Sequence, residues 1–113
     1  MYYVILEKSD TQLYHYIDFD RTLATHKTSW GIEKMGKPIP KMMEKVKKLL
    51  QAGEKIKIFT ARAGYPGQKK KVQDWLEKYG LPRLPVTNVK GDDVKFILDD
   101  KARQVKENTG VIK

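Results

Sequence analysis

Asp18 and Asp20 stand two residues apart at the end of an apolar run, Leu13 to Ile17. Residues i and i+2 of an extended chain point the same way. Both carboxylates are therefore expected to leave the end of a strand on one side of it. Held that close, they repel each other unless a cation or a proton lies between them. Two later apolar runs also end in oxygen-bearing side chains. Ile56 to Phe59 runs into Thr60, and Val94 to Leu98 runs into Asp99 and Asp100. If the three runs are neighbouring parallel strands, these groups gather on one rim, and four carboxylates there demand a counter-ion. A hard divalent cation meets that demand, and Mg²⁺ suits an open carboxylate site that keeps several waters. The chain has no cysteine, and its two histidines are poorly placed for zinc. His15 lies inside the first of these runs and reads as a core or sheet histidine. His26 reads as a loop residue.

The elements that must position these groups follow from periodicity. Tyr2 to Glu7 is rich in β formers and reads as a strand. Lys8 to Gln12 is a polar turn, and Leu13 to Ile17 is the next strand, so the two can pair as a hairpin. Leu23 to Pro40 is irregular, broken by Gly31, Gly36, Pro38 and Pro40. Trp30 in this loop is expected to pack on the core rather than cover a site. Ile39, Met43, Val46 and Leu50 fall at helical spacing, with Met42 and Leu49 widening the stripe. Gly53 follows as a helix stop. Ile56 to Phe59 is a short strand, Gly64 to Gly67 a loop, and Val72, Trp75, Leu76 and Tyr79 a second helical stripe closed by Gly80. Pro82 and Pro85 hold the following stretch extended. Val86 to Val89 is a short strand, Val94 to Leu98 a clear one, and Ala102 with Val105 suggests a short terminal helix. Alternating strands and helices imply right-handed crossovers and a parallel sheet covered by helices. Ligands of such folds sit at the carboxyl ends of the strands.

The length, 113 residues, suits one domain. Without cysteines there is neither a disulfide framework nor a thiolate metal site. No apolar stretch approaches the roughly 18 residues of a membrane span. The start, Met1 to Lys8, lacks the pattern of a signal peptide. A cytoplasmic protein with no membrane partner is expected. The net charge is +9, and Lys41 to Lys78 alone holds 11 basic against 4 acidic residues. Such a surface attracts phosphates of any kind. A Lys-rich solvated face on two helices is the plainer account of it.

Asp18-Phe19-Asp20-Arg21-Thr22-Leu23 resembles the first motif, DxDx[TV], of the haloacid dehalogenase superfamily of phosphatases. Phe59-Thr60 resembles its second motif, an apolar strand ending in Ser or Thr. Ile97-Leu98-Asp99-Asp100 resembles the fourth, an apolar strand ending in an acidic pair. The third is a basic residue upstream of that pair. Lys90 fits it best, and Lys95, inside the last strand, is the alternative. Arg21 departs from the pattern, since Gly is frequent there in the family.

The resemblance implies a single α/β domain over residues 1–113, with a Rossmann-like parallel sheet flanked by helices. It also implies a Mg²⁺-dependent phosphatase. Asp18 would be the nucleophile and form an aspartyl-phosphate. Asp20 would donate a proton to the leaving oxygen and take one from water. Asp18, the Asp20 carbonyl and the Asp99–Asp100 pair would hold Mg²⁺. Lys90 would bridge Asp18 and a phosphoryl oxygen, and the Thr60 hydroxyl would bind another.

Many members carry a cap domain after the first motif or between the second and third. Asp20 to Thr60 spans 40 positions and Thr60 to Lys90 spans 30. Each gap is already taken by one helix and its loops, so a capless site is expected. Arg21, His26 and Trp30 are the expected lining. An open site suits a large phosphorylated substrate, a nucleotide or nucleic-acid end among them, or needs a neighbouring subunit to close it. The competing reading is a binding or regulatory protein that keeps the fold and metal site without turnover.

Overall fold

The structure, a computed structural model, describes residues 12–113. Its strands are β1 (Tyr14–Asp18), β2 (Lys55–Phe59), β3 (Val86–Thr87) and β4 (Val94–Leu98), and its helices are α1 (Pro40–Gln51) and α2 (Gln68–Lys78). The strands form one all-parallel sheet in the order β3-β2-β1-β4. This is a small α/β fold. Among the described residues, no helix is long and apolar enough to cross a membrane.

Each helix forms where its apolar stripe meets the sheet. α1 begins at Pro40, where a missing N–H costs nothing, and buries Met43 and Val46. α2 buries Val72, Trp75 and Leu76. Beyond the helix ends, Gly53 and Gly80 adopt φ of 81° and 87°, the left-handed region that glycine enters without strain. Ile17, Ile58 and Val86 lie in register across β1, β2 and β3, and they share one hydrophobic cluster with both helices. Both helices therefore cover the same sheet face. The physical reason is direction. β1 to β2 and β2 to β3 step the same way across the sheet, and crossovers of one hand then fall on one side. The return from β3 to β4 uses residues 88–93, which contain no helix. So the sheet is not covered by helices on both faces among the described residues. The other face carries Tyr14, Tyr16 and Lys57, with the Tyr16 ring edge-on to Phe59 at 5.5 Å and the Lys57 ammonium 4.4 Å from the Tyr14 ring.

Several expectations are corrected. Tyr2 to Glu7, the first expected strand, lies outside the described residues. The expected hairpin of that strand with Leu13 to Ile17 lies outside them too; β1 itself has β2 on one edge and β4 on the other. The short helix at Ala102 and Val105 does not form. That segment is exposed and folds back on itself through a Val105–Ile112 bridge. Asn108 and Gly110, both at positive φ, make the turn. Two apolar positions alone had too little to bury to hold a helix there. The strand expected at Val86 to Val89 stops at Thr87, whose hydroxyl accepts the Val89 N–H at 3.0 Å. Trp30 is not in the core. It sits half-exposed in a 3₁₀ turn, with Lys34 over its ring and His26 against it. The core tryptophan is Trp75, packed on Phe19 with ring centroids 4.8 Å apart.

Candidate functional site at the carboxyl end of the sheet

Parallel pairing brings the strand ends together. Asp18 closes β1 beside Phe59, so Thr60 follows at the next step of β2. Ile17 pairs with Leu98, so Asp99 follows at the next step of β4. As a result, carboxylate oxygens of Asp18, Asp99 and Asp100 lie within 4.8 Å of one another. Among the described residues none of the three forms an ion pair. Burial pushes the Asp18 carboxyl up to about 7, and the Asp99 charge pushes the same way. The Thr22 hydroxyl opposes this by donating to Asp18 Oδ2 at 3.1 Å. The same hydroxyl accepts the Asp100 N–H at 3.1 Å and so ties the β1 and β4 ends together. A buried hydroxyl serving two strand ends is a role the motif alone did not assign to Thr22.

This donor set fits a hard cation. Three carboxylates from two strand ends, without thiolate or imidazole among them, match the oxygen ligation that Mg²⁺ or Ca²⁺ takes. A bound divalent cation would also favour the ionised form of Asp18, which burial and Asp99 disfavour.

Asp20 is not part of that cluster. The chain leaves the extended conformation directly after β1. The Phe19 carbonyl accepts N–H groups from Thr22, Leu23 and Ala24, and Arg21 adopts a φ of 67°. This tight turn removes the i, i+2 alignment and sends the Asp20 side chain to Arg62. Arg62 Nε donates to Asp20 Oδ2 at 2.8 Å, and its Nη2 donates to Oδ1 at 3.0 Å. Asp20 still lines the same cleft, about 440 Å³ in volume, with Asp18, Thr60, Asp99 and Asp100. A left-handed position of this kind favours Gly, so Arg21 occupies it against preference. Glycine enters that region freely, whereas Arg21 holds it with its guanidinium donating to the Thr28 hydroxyl at 3.0 Å.

Thr60 is buried, and its oxygen accepts the Arg62 N–H at 3.2 Å. Its own hydroxyl proton remains to be donated into the cleft. The two candidate lysines lie elsewhere. Lys90 is exposed and lines neither this cleft nor the adjoining one at Asn88. Lys95 bonds Glu54, just before β2, at the opposite end of the sheet. The cations that do line the cleft are Arg21, Arg62 and Lys101. Arg62 and Lys101 were not singled out from the sequence. The available signal for Arg62 was a cation two residues past a strand-end threonine. Arg21 and His26 line the cleft as expected, and Trp30 does not.

No family model, curated protein or solved structure matches the chain.

Proposed function

We propose that the protein is a small, capless Mg²⁺-dependent phosphatase of the haloacid dehalogenase type, with a Rossmann-like sheet. The observation that carries this reading is the convergence of Asp18, Asp99 and Asp100, with Asp20 and Thr60 on the same cleft. Asp18, Asp99, Asp100 and the Asp20 carbonyl are the residues that would hold the metal. When bound, it neutralises carboxylates that would otherwise repel a phosphate dianion.

The chain's own residues then divide the chemistry. An Asp18 oxygen attacks phosphorus, forming an O–P bond as the bond to the leaving oxygen breaks. Asp20, protonated at the start of the step, gives its proton to the leaving oxygen and is left as the carboxylate that Arg62 holds. In the second step water attacks the aspartyl-phosphate, Asp20 takes the proton from water, and Asp18 is regenerated as a carboxylate. The Thr60 hydroxyl donates to a phosphoryl oxygen. Arg21 and Lys101 supply positive charge at the cleft.

The substrate class follows from charge and openness. The net charge is +9, and the gaps between motifs leave no room for a cap. A phosphate on a nucleotide or a nucleic-acid end fits both features. The test is turnover of a 3′-phosphorylated oligonucleotide, a nucleoside monophosphate and p-nitrophenyl phosphate, with and without Mg²⁺. Hydrolysis that requires Mg²⁺ is expected. A steep fall of kcat/KM for the oligonucleotide between about 50 and 200 mM salt, against a shallow one for the aryl phosphate, is expected if polyanions are the substrate. Equal shallow slopes overturn the nucleic-acid class.

One observation favours a second reading. Lys90, the expected basic partner of Asp18, lines no part of the cleft. A binding or regulatory protein with the same metal site has no need of that lysine. Mg²⁺ binding without turnover of any phosphoester would establish this alternative.

A further inference from the structure

Arg62 is only 3% exposed, unusual for a guanidinium, and all three of its nitrogens are engaged. Nε and Nη2 grip the two Asp20 oxygens at 2.8 and 3.0 Å. Nη1 donates to the Ile32 carbonyl and, at 3.3 Å, to Gln68 Oε1 at the start of α2. Nη2 also reaches the Lys34 carbonyl at 2.9 Å. His26 Nδ1 lies 3.5 Å from Asp20 Oδ1 and is buried without a hydrogen bond. A buried ion pair of this kind adds little stability over well-packed apolar residues. What it does supply is a carboxylate held in one orientation. A planar fork meeting both oxygens fixes direction as well as distance.

We infer that Arg62 is a positioning residue for Asp20. It holds the Asp20 carboxylate in one orientation on the wall of the cleft that Asp18 and Thr60 also line and, through Ile32 and Lys34, ties it to the neighbouring loop. The inference rests on the reading of Asp20 as the group that protonates the leaving oxygen. Under that reading, an alkyl phosphate needs the proton and an aryl phosphate with a stable leaving anion does not. Misplacing Asp20 therefore damages one substrate and spares the other. General disruption of the fold damages both alike.

The experiment compares glycerol 2-phosphate with p-nitrophenyl phosphate in millimolar MgCl₂, for wild type, Arg62→Lys, Asp20→Asn and the double variant. Arg62→Lys keeps the charge and loses the fork. It is expected to lower kcat on glycerol 2-phosphate by about 100-fold and kcat on p-nitrophenyl phosphate by less than about 5-fold, with KM nearly unchanged. Asp20→Asn should show the same selectivity, and the double variant should be no worse than Asp20→Asn. Equal loss on both phosphates, or losses that multiply in the double variant, overturn the inference. A second measurement needs neither activity nor a foldable Arg62 variant. The Arg62 Nε–H resonance in ¹⁵N-labelled protein should exchange slowly in wild type and shift and exchange faster in Asp20→Asn. A resonance unmoved by Asp20→Asn overturns the clamp itself. A folded wild-type protein that hydrolyses neither phosphate overturns the phosphatase reading instead, and with it the catalytic purpose of the clamp.

Discussion

The two ends of the sheet treat carboxylates in opposite ways. At the amino end, Glu54 lies against His15 and Lys95 at 2.8 and 2.9 Å, and Asp93 against Lys57 at 2.7 Å and the Tyr16 hydroxyl. Hydrogen bonding to Lys95 holds Glu54 below the usual carboxylate range, and hydrogen bonding to Lys57 does the same for Asp93. At the carboxyl end, Asp18, Asp99 and Asp100 face one another. There burial pushes Asp18 up to about 7. The same side-chain type is a structural anchor at one end and a store of repulsion at the other. A chain carrying 23 Lys and Arg has cations in plenty, and three of them line the cleft, yet none pairs with this cluster among the described residues. Perturbation by burial and like charge in a cleft is a mark of functional sites, where the missing charge arrives with a ligand.

The largest effect should come from Asp18, the proposed nucleophile. Asp18→Asn keeps the volume and removes the attacking charge. It is expected to lower turnover of p-nitrophenyl phosphate by more than about 1,000-fold, while the circular dichroism spectrum is unchanged. Activity within tenfold of wild type would put the nucleophile elsewhere.

Next comes the proposed cation. If Mg²⁺ binds the folded cluster and not the unfolded chain, it should raise Tm. At about 100 times its Kd the gain is about 2.7 kcal/mol. Asp99→Ala with Asp100→Ala should abolish the shift in a thermal melt and leave the apo protein at least as stable, because repulsion has been removed. An undiminished shift in that variant would place the cation at another site.

The third prediction uses pH without metal. The folded value of Asp18 lies above its unfolded value of 3.8, at about 7. Its contribution to stability is therefore fully present below about pH 4 and is lost as pH rises through about 7. Glu54 and Asp93 have the opposite sign. They stabilise above the ordinary carboxylate range and lose that contribution as pH falls. Apo Tm should decline between pH 5 and pH 8, and saturating Mg²⁺ or Asp18→Asn should flatten the decline. A flat apo profile would mean that the cluster stores no repulsion.

The smallest effect belongs to the amino end. Lys57→Met leaves Asp93 with Tyr16 but without its cation, and the pair is partly exposed. A loss of about 1 kcal/mol in a urea titration is expected, with activity unchanged. A large loss of activity would show that the two ends are coupled.

Local pattern was enough for much of this molecule. Apolar runs with oxygen-bearing ends marked β1, β2 and β4, and helical stripes marked α1 and α2 to within a few residues. Strand direction then carried Asp18, Thr60, Asp99 and Asp100 to one rim, because parallel neighbours end together. Other features depended on what the chain does once it leaves a regular element. Asp20 parted from Asp18 because a turn closed on the Phe19 carbonyl, and spacing on an extended chain says nothing about a turn. Arg62 became its partner across 42 positions, a separation no local period reports. Neither Lys90 nor Lys95 reached the cleft, since Lys90 is exposed on the return loop and Lys95 bonds Glu54 at the amino end. The helices share one face because two successive crossovers step the same way. Spacing records which residues repeat along a segment. Which charges meet depends on loop geometry and crossover direction, and those are set when the whole chain packs.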